Sequence, residues 1–132
     1  MRRWKIVYVD DSQLELRAVQ TALRDAGFDV LTSADGEGLK PIMGSVDLVL
    51  IDYHLAGTTG TVVLDKLKKL IDQASPKTPL FYLYTSDPEV GPDYKAMGFD
   101  GRLILKGNPE ALLKQIDAVQ RAQELRRLRP SR

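Results

Sequence analysis

A mostly aliphatic run near the middle of the chain ends abruptly on a carboxylate. The run spans Val46–Ile51, and Asp52 follows it directly. An apolar segment of this length is typical of a strand covered on both faces, as in the centre of a parallel sheet. Open α/β sheets bind their ligands in the crevice beyond the carboxyl ends of their strands. The sequence therefore predicts that Asp52 lies at a functional edge, followed by a loop over residues 53–60.

Similar apolar runs recur along the chain and alternate with helical patterns. Strands are predicted at residues 5–9, 28–32, 46–51, 80–84 and 102–105. Helices are predicted at residues 12–26, 34–43 and 61–71, irregularly at 93–97 within the proline- and glycine-interrupted segment 87–98, and from Pro109 onward. The alternation predicts a doubly wound α/β domain, with a five-stranded parallel sheet of flavodoxin-like order 2-1-3-4-5 and helices on both faces.

Composition narrows the class of protein. The 132 residues predict one domain, with a core at about 5–122 and a basic helix end and tail at 123–132. The chain has no cysteine, which excludes disulfides and thiolate metal sites. A net charge of +1 gives no electrostatic case for binding nucleic acid or membrane. Because nothing resembles a signal peptide or a membrane span, we expect a cytoplasmic protein.

Each candidate functional residue follows a predicted strand. Asp10 and Asp11 come after the first strand, Asp52 after the third, Thr85 after the fourth and Lys106 after the fifth. In the predicted sheet order the first, third and fourth strands are neighbours, and the fifth is next along. We therefore expect three carboxylates, a hydroxyl and an ammonium group in one crevice.

These side chains have a common chemical use. Three neighbouring carboxylates repel one another unless a cation lies among them, and a site with oxygen ligands suits a hard ion such as Mg²⁺. A metal ion, a lysine and a hydroxyl together suit phosphoryl groups, whose oxygens need positive charge around them. A carboxylate at the centre can serve as the nucleophile and become an aspartyl-phosphate.

This set of residues resembles the receiver domain of the response regulators of two-component signalling. The resemblance covers Lys5 to about Ala122, and Gly60, eight residues after Asp52, belongs to it. It implies that Asp52 accepts a phosphoryl group from a histidine kinase or a histidine phosphotransfer protein. The chain would then act in a phosphorelay as a signalling protein rather than as an enzyme, beyond any self-catalysed phosphorylation and dephosphorylation.

The resemblance also implies a ligand set for magnesium. Asp11, Asp52 and the backbone carbonyl of His54 would bind Mg²⁺ directly, and Asp10 would act through a water molecule. These assignments follow from the family pattern and not from the spacing of the residues alone.

The same resemblance gives roles to residues around the phosphoacceptor. Lys106 would pair with the phosphoryl group, and Thr85 would move toward it as the switch. His54 and Asp87, two residues beyond Asp52 and Thr85 respectively, would flank the path of attacking water. We expect their side chains to bridge across the site and slow hydrolysis of the phosphoryl group.

Three positions depart from the family pattern. Ala56 and Gly107 replace the usual prolines after the phosphoacceptor and after the lysine, so looser loops are expected there. Leu103 replaces the usual aromatic switch residue. These departures leave open a second hypothesis, a degenerate receiver that acts as a phosphorylation-independent interaction module. A flavodoxin-type cofactor carrier is excluded, because the acids 10 and 11 lie where such a protein needs a phosphate-binding loop.

The output is expected to be a protein contact. No effector domain follows the predicted fold, so we expect a stand-alone receiver with a downstream protein target. Direct DNA binding is not expected, because no helix-turn-helix accompanies the arginines near the chain end, which are Arg121, Arg126, Arg127, Arg129 and Arg132.

The final helix carries two apolar surfaces. Leu112, Ile116 and Val119 form one stripe at helical spacing and should pack on the sheet. Leu125 and Leu128 fall on nearly the opposite side, so we expect them to project as an apolar patch ringed by arginines. The patch would contact a partner or a second copy of the chain, which makes a homodimer one outcome.

Overall fold

The computed structural model describes residues 3–71 and 77–128. In this part of the chain the strands are β1 (Lys5–Val9), β2 (Asp29–Ser33), β3 (Leu48–Ile51), β4 (His54–Leu55), β5 (Thr58–Thr59), β6 (Leu80–Tyr84) and β7 (Gly101–Leu103). Five of them form a parallel sheet in the order β2-β1-β3-β6-β7, and β4 and β5 form a separate antiparallel hairpin. Counted along the parallel sheet, this order is 2-1-3-4-5, so the predicted fold class is confirmed. Arg129 and Arg132 lie outside the described residues.

Three α-helices occur within the described ranges. They are α1 (Gln13–Asp25), α2 (Gly60–Lys69) and α3 (Pro109–Leu128). The hydroxyl of Ser12 accepts a hydrogen bond from the backbone N–H of Glu15 at 3.3 Å, which satisfies one free donor at the start of α1. The side chain of Asn108 does the same for α3, accepting from the N–H of Ala111 at 3.0 Å.

The helix predicted at residues 34–43 is wrong. All of these residues are described, and the segment contains turns followed by a 3₁₀ helix at Lys40–Ser45. Gly36 and Gly38 have φ angles of 82° and 76°, which lie in the left-handed region that an α-helix excludes. These two glycines therefore determine the backbone conformation here.

The segment 87–98 is irregular, as predicted, but its helical part lies elsewhere. A 3₁₀ helix covers Gly91–Asp93, and residues 93–97 do not form the α-helix that the sequence suggested. Pro92 lies in the first turn of the 3₁₀ helix, where proline needs no hydrogen-bond partner. As a result, the connection from β6 to β7 is made without an α-helix.

The sheet separates two apolar cores. On one face α1 and α3 pack against alternate residues of the central strands, whereas α2 and the 3₁₀ helix at 40–45 cover the other face. The first core includes Tyr8, Leu16, Leu23, Leu50, Tyr84 and Ile116, and the second includes Val7, Met43, Val49, Leu64, Leu67 and Phe81. Each fully buried aliphatic side chain stabilises the fold by roughly 1.5–3 kcal/mol. All four residues of β3 are buried, as expected of a strand covered on both faces.

The last two turns of α3 extend past the core. Leu112 and Ile116 are buried and Val119 packs against them, whereas Leu125 and Leu128 are 63% and 80% exposed. The two predicted surfaces of the final helix are therefore confirmed. Over residues 3–71 and 77–128, none of the helices combines the length and the hydropathy needed to cross a membrane.

Candidate functional site

Parallel pairing of β1 and β3 brings the predicted acids to one edge of the sheet. The backbone N–H of Asp52 donates to the carbonyl of Val9 at 3.0 Å, which aligns the ends of the two strands. Asp10 and Asp52 are only 1% and 8% exposed, and Asp11 is open to solvent. One carboxylate oxygen from each of these three acids lies within 4.8 Å of the other two.

The three carboxylates fit a hard divalent cation. Their donor atoms are all oxygen, they converge within bonding reach of one ion, and the exposed Asp11 leaves room for the water ligands that Mg²⁺ retains. His54 lies in β4, which starts two residues beyond Asp52. That its carbonyl is a further ligand stays a prediction.

Lys106 bridges two of the acids. Its Nζ atom lies 2.8 Å from Oδ2 of Asp10 and 3.2 Å from Oδ2 of Asp52, and its side chain is 9% exposed. Burial alone would lower the pKa of Lys106, but the hydrogen bond to Asp10 and the charges of Asp52 and Asp10 outweigh burial and raise it. The ammonium group therefore stays charged and holds the two carboxylates at the strand ends.

Sequence reasoning missed Tyr8, whose hydroxyl donates a hydrogen bond to Oδ2 of Asp10. Tyr8 is fully buried, and burial raises its pKa, as does the hydrogen bond to Asp10, so the phenol remains a neutral donor. Residues two apart on a strand point to the same face, so the spacing of Tyr8 and Asp10 was the available signal. Because a tyrosine inside an apolar strand is usually a packing residue, this spacing did not indicate a functional role for Tyr8.

Gly60 is required by the close approach of α2 to the backbone of Asp52. A Cβ atom on Gly60 would lie 2.4 Å from the carbonyl oxygen of Asp52, which no side chain permits. The N–H of Gly60 donates to the carbonyl of Tyr53 at 2.7 Å. In the segment between Tyr53 and Gly60, Ala56 and Gly57 form the turn of the β4–β5 hairpin, and Gly57 has a φ of 72°. The start of α2 therefore packs directly against the backbone of Asp52.

On the other side of the crevice, Thr85, Asp87 and His54 are linked. The Thr85 hydroxyl accepts from the backbone N–H of Asp87 at 3.3 Å, and Oδ2 of Asp87 lies 2.7 Å from Nε2 of His54. The hydrogen bond to His54 lowers the pKa of Asp87. The expected side-chain bridge is thus present in the structure, and its effect on hydrolysis stays a prediction.

A cavity of about 270 Å³ opens beside Thr85. Its walls include the buried Leu103, which occupies the position of the usual aromatic residue, and the side chain of Lys106. In the loop after β7, the backbone N–H of Asn108 donates to the carbonyl of Leu105 at 3.1 Å, and this hydrogen bond closes the turn that contains Gly107. Leu105 has a φ of 59°, an uncommon conformation for a residue with a side chain.

Comparison with known proteins identifies the family. No family model matches the sequence. The chemotaxis response regulator CheY4 of Vibrio cholerae is 30% identical, and the aligned region covers 89% of this chain and 98% of CheY4 with a TM-score of 0.71. The chain belongs to the CheY-like receiver family of response regulators. A CheY-like receiver domain from Methanospirillum hungatei is 27% identical over 94% of this chain and 98% of that one, with a TM-score of 0.74.

A curated relative is longer than this receiver. The transcriptional regulatory protein YbdJ of Bacillus subtilis is 27% identical over 113 residues, which are 80% of this chain and 49% of YbdJ. The chain therefore spans about half the length of YbdJ. Membership of the receiver family makes this chain a two-component signalling protein with an acidic crevice that is suited to a metal ion.

Proposed function

We propose that this receiver is a Mg²⁺-dependent phosphoacceptor switch that is phosphorylated on Asp52 and signals through protein–protein contacts. The observation that carries the proposal is the arrangement around Asp52. Its carboxylate lies at the end of the central strand β3, with the ammonium group of Lys106 at 3.2 Å and two more acids beside it. A nucleophile and its charge-stabilising groups are thus already assembled at one edge.

In the proposed reaction, a carboxylate oxygen of Asp52 attacks the phosphorus of a phosphohistidine. The P–N bond breaks, the imidazole leaves, and an aspartyl-phosphate forms. The phosphohistidine would belong to a histidine kinase or a histidine phosphotransfer protein. Lys106 would pair with the transferred phosphoryl oxygens, since its Nζ atom already lies next to the acceptor carboxylate.

Mg²⁺ would be held by Asp11, Asp52 and the carbonyl of His54, with Asp10 acting through a water molecule. The ion would supply positive charge that offsets the repulsion between the carboxylates and the phosphoryl group as they approach one another. Asp10 and Asp52 already share one cation, Lys106, which neutralises only part of the negative charge of the three acids.

Thr85 would act as the switch between the site and the surface. The Thr85 hydroxyl now accepts a hydrogen bond from the backbone N–H of Asp87. To donate to a phosphoryl oxygen, this hydroxyl would have to reorient. The open cavity next to Thr85 would allow this movement, which would change the β6–β7 surface seen by a downstream protein in the cytoplasm. The exposed end of α3 is a second proposed contact surface, for such a target or for a second copy of the chain.

Intact mass spectrometry tests the proposal. The protein is incubated with acetyl phosphate in Mg²⁺ and, separately, in excess EDTA, and Asp52→Asn is treated in parallel. We expect a single phosphoryl adduct in Mg²⁺ only, absent from Asp52→Asn and unchanged in the control Asp29→Asn, an exposed acid at the start of β2. An adduct that persists in Asp52→Asn contradicts the proposal, and no adduct on the native chain favours the phosphorylation-independent interaction module.

A further inference from the structure

Asp10 is held by more groups than a simple metal-site acid needs. Three donors reach it among the described residues: the Tyr8 hydroxyl, the N–H of Ser12 at 2.9 Å and Nζ of Lys106 at 2.8 Å. Tyr8 and Lys106 both bind the same oxygen, Oδ2, whereas Ser12 binds Oδ1. Because a carboxylate oxygen has two lone pairs, Tyr8 and Lys106 saturate Oδ2, and Oδ1 keeps one position for a further donor such as a metal-bound water.

Tyr8 is fixed in place by its surroundings. Its ring is fully buried in the core under α1 and α3, and it meets the ring of Tyr84 edge-on at 5.8 Å between centroids. A phenol hydroxyl in such a position has no access to solvent, so leaving Asp10 would create an unpaired buried polar group. The bond from Tyr8 to Asp10 is therefore a permanent feature of the folded site.

Lys106, in contrast, is shared between two acids. Its Nζ atom lies 2.8 Å from Asp10 and 3.2 Å from Asp52. A phosphoryl group on Asp52 adds oxygens that compete for the same ammonium group. If Lys106 turns toward them, the Tyr8 hydroxyl is the one donor that stays on Oδ2 among the described residues, while Asp10 remains 1% exposed. A buried carboxylate that loses a donor is destabilised unless another donor remains on it.

We propose that Tyr8 is a positioning residue for the phosphorylated state. Its hydroxyl keeps Asp10 hydrogen-bonded and oriented while Lys106 turns from Asp10 to the phosphoryl group on Asp52. This inference rests on the proposed phosphorylation of Asp52. It adds a residue from the core, Tyr8, to the groups that support the phosphorylated site. The competing explanation is that Tyr8 only fills the core with its ring, and that its hydroxyl bonds to the nearest acceptor without further effect.

Tyr8→Phe separates the two explanations, because it removes the hydroxyl and keeps the ring. Calorimetry first measures the affinity for Mg²⁺ alone, and then the affinity for beryllofluoride, a phosphoryl mimic, at saturating Mg²⁺. Without the mimic Lys106 still covers Asp10, so we expect a Mg²⁺ affinity within about twofold of the native value. With the mimic, Lys106 turns away and the variant leaves Oδ2 of Asp10 without its two donors, so we expect beryllofluoride to bind about tenfold more weakly.

Tyr84→Phe is the matched control. Tyr84 is equally buried and in contact with Tyr8, and its ring, which faces Lys106 at 5.9 Å, is retained in the variant. The variant also removes a buried hydroxyl hydrogen bond, here with the backbone of Gly107, but it takes no donor from Asp10. We expect native affinities for both ligands. Thermal unfolding of both variants shows whether each is folded. A second measurement uses the native chain: the Tyr8 hydroxyl proton, assigned by NMR, should stay protected from exchange when Mg²⁺ and beryllofluoride are added.

Each outcome has one meaning. Equal beryllofluoride affinities for Tyr8→Phe and Tyr84→Phe overturn the inference, as does a loss of Mg²⁺ affinity as large as the loss for beryllofluoride. Loss of protection of the hydroxyl proton on activation overturns it without any variant. If the native protein itself binds no beryllofluoride in Mg²⁺, the proposed phosphoacceptor function fails first, which is a different result from failure of Tyr8→Phe alone.

Discussion

The two sides of the crevice are built differently. On the acid side, formed by the ends of β1 and β3, Asp10 and Asp52 are buried and share Lys106. On the switch side, formed by the ends of β6 and β7, Thr85 borders a cavity of about 270 Å³ and Leu105 is 62% exposed. The acid side is thus tightly bonded, whereas the switch side is open.

The difference follows from the connections between strands. At the crevice edge, the connections that leave β1 and β3 lead into the α-helices α1 and α2, whereas the connection that leaves β6 contains only the 3₁₀ helix at Gly91–Asp93. The side chain of Arg102 occupies the space where Gly91 has no Cβ atom, with Nη1 2.7 Å from that position. Phosphoryl chemistry depends on fixed charges, and contact with a partner depends on a surface that can change. Under the proposed function, the acid side would meet the first demand and the switch side the second.

The largest effect should come from removing the cation of the acid side. Lys106→Met leaves two adjacent carboxylates without their shared donor, and we expect the free energy of unfolding in EDTA to fall by about 1–3 kcal/mol. Mg²⁺ should recover part of this loss, because the ion supplies the missing positive charge. Urea denaturation with and without Mg²⁺ measures both quantities.

Lys114→Met is the control for Lys106→Met. Lys114 is exposed, and its Nζ atom lies 4.0 Å from Glu110 on the surface of α3. A pair of this kind contributes about 0–1 kcal/mol, so little change is expected. If Lys106→Met is no more destabilising than Lys114→Met, the acid side is not the tightly bonded region described above.

A smaller effect of opposite sign is expected at the switch side. Leu105 has a φ of 59°, where a side chain is disfavoured by about 1–2 kcal/mol. Leu105→Gly relieves this strain and also loosens the unfolded chain, so we expect a net stabilisation of up to about 1 kcal/mol. The exposed neighbour Ile104, which lies outside the left-handed region, gives the control Ile104→Gly, which should destabilise. Equal destabilisation by both variants would mean that Leu105 is unstrained.

The bridge between the two sides should have a modest kinetic effect. Asp87→Ala and His54→Ala each break the 2.7 Å contact at the mouth of the crevice, and we expect each to speed loss of the phosphoryl group. A solvent-screened pair of this kind is weak, so the increase should stay within about fivefold. Phosphoryl decay is followed at constant Mg²⁺, with Asp93→Ala, an exposed acid in the same connection, as control. Decay at the native rate in both variants would make the pair a bystander.

The smallest effect is expected at the exposed end of α3, which lies at the opposite edge of the sheet from the crevice, since Asp117 of α3 already pairs with Arg3, just before β1. Leu125 and Leu128 form a patch of two side chains, large enough only for a weak contact. Sedimentation of the phosphorylated chain should show concentration-dependent association that Leu125→Ser/Leu128→Ser removes and Leu14→Ser, another exposed leucine, does not. Monomeric behaviour of the phosphorylated native chain at all concentrations would contradict the prediction of self-association.

The sequence predicted the parts of the fold in which residue pattern and tertiary context agree. The apolar runs ending at Val9, Ile51 and Tyr84 became strands because their side chains are buried on both faces of the sheet. The helix predicted at 34–43 failed because two left-handed glycines within it decide the backbone locally, and apolar spacing carries no information on φ.

The sequence predicted the acids and the lysine of the candidate site, but it did not predict the hydrogen bond from Tyr8 that holds Asp10. Strand ends locate Asp10, Asp52 and Lys106, because parallel strands share one edge. The position of the Tyr8 hydroxyl depends on a rotamer that is set by packing in the core, which includes the contact with Tyr84. Pattern indicates which face a side chain occupies, and it does not indicate which atom that side chain reaches.

The most direct test of the account is to locate the phosphoryl group chemically. After incubation with acetyl phosphate and Mg²⁺, borohydride reduces an aspartyl-phosphate to homoserine, and peptide mass mapping identifies the converted residue. The account predicts conversion at Asp52 alone, and none in EDTA. Conversion at another residue, or none on a protein shown to be folded and loaded with Mg²⁺, would contradict it.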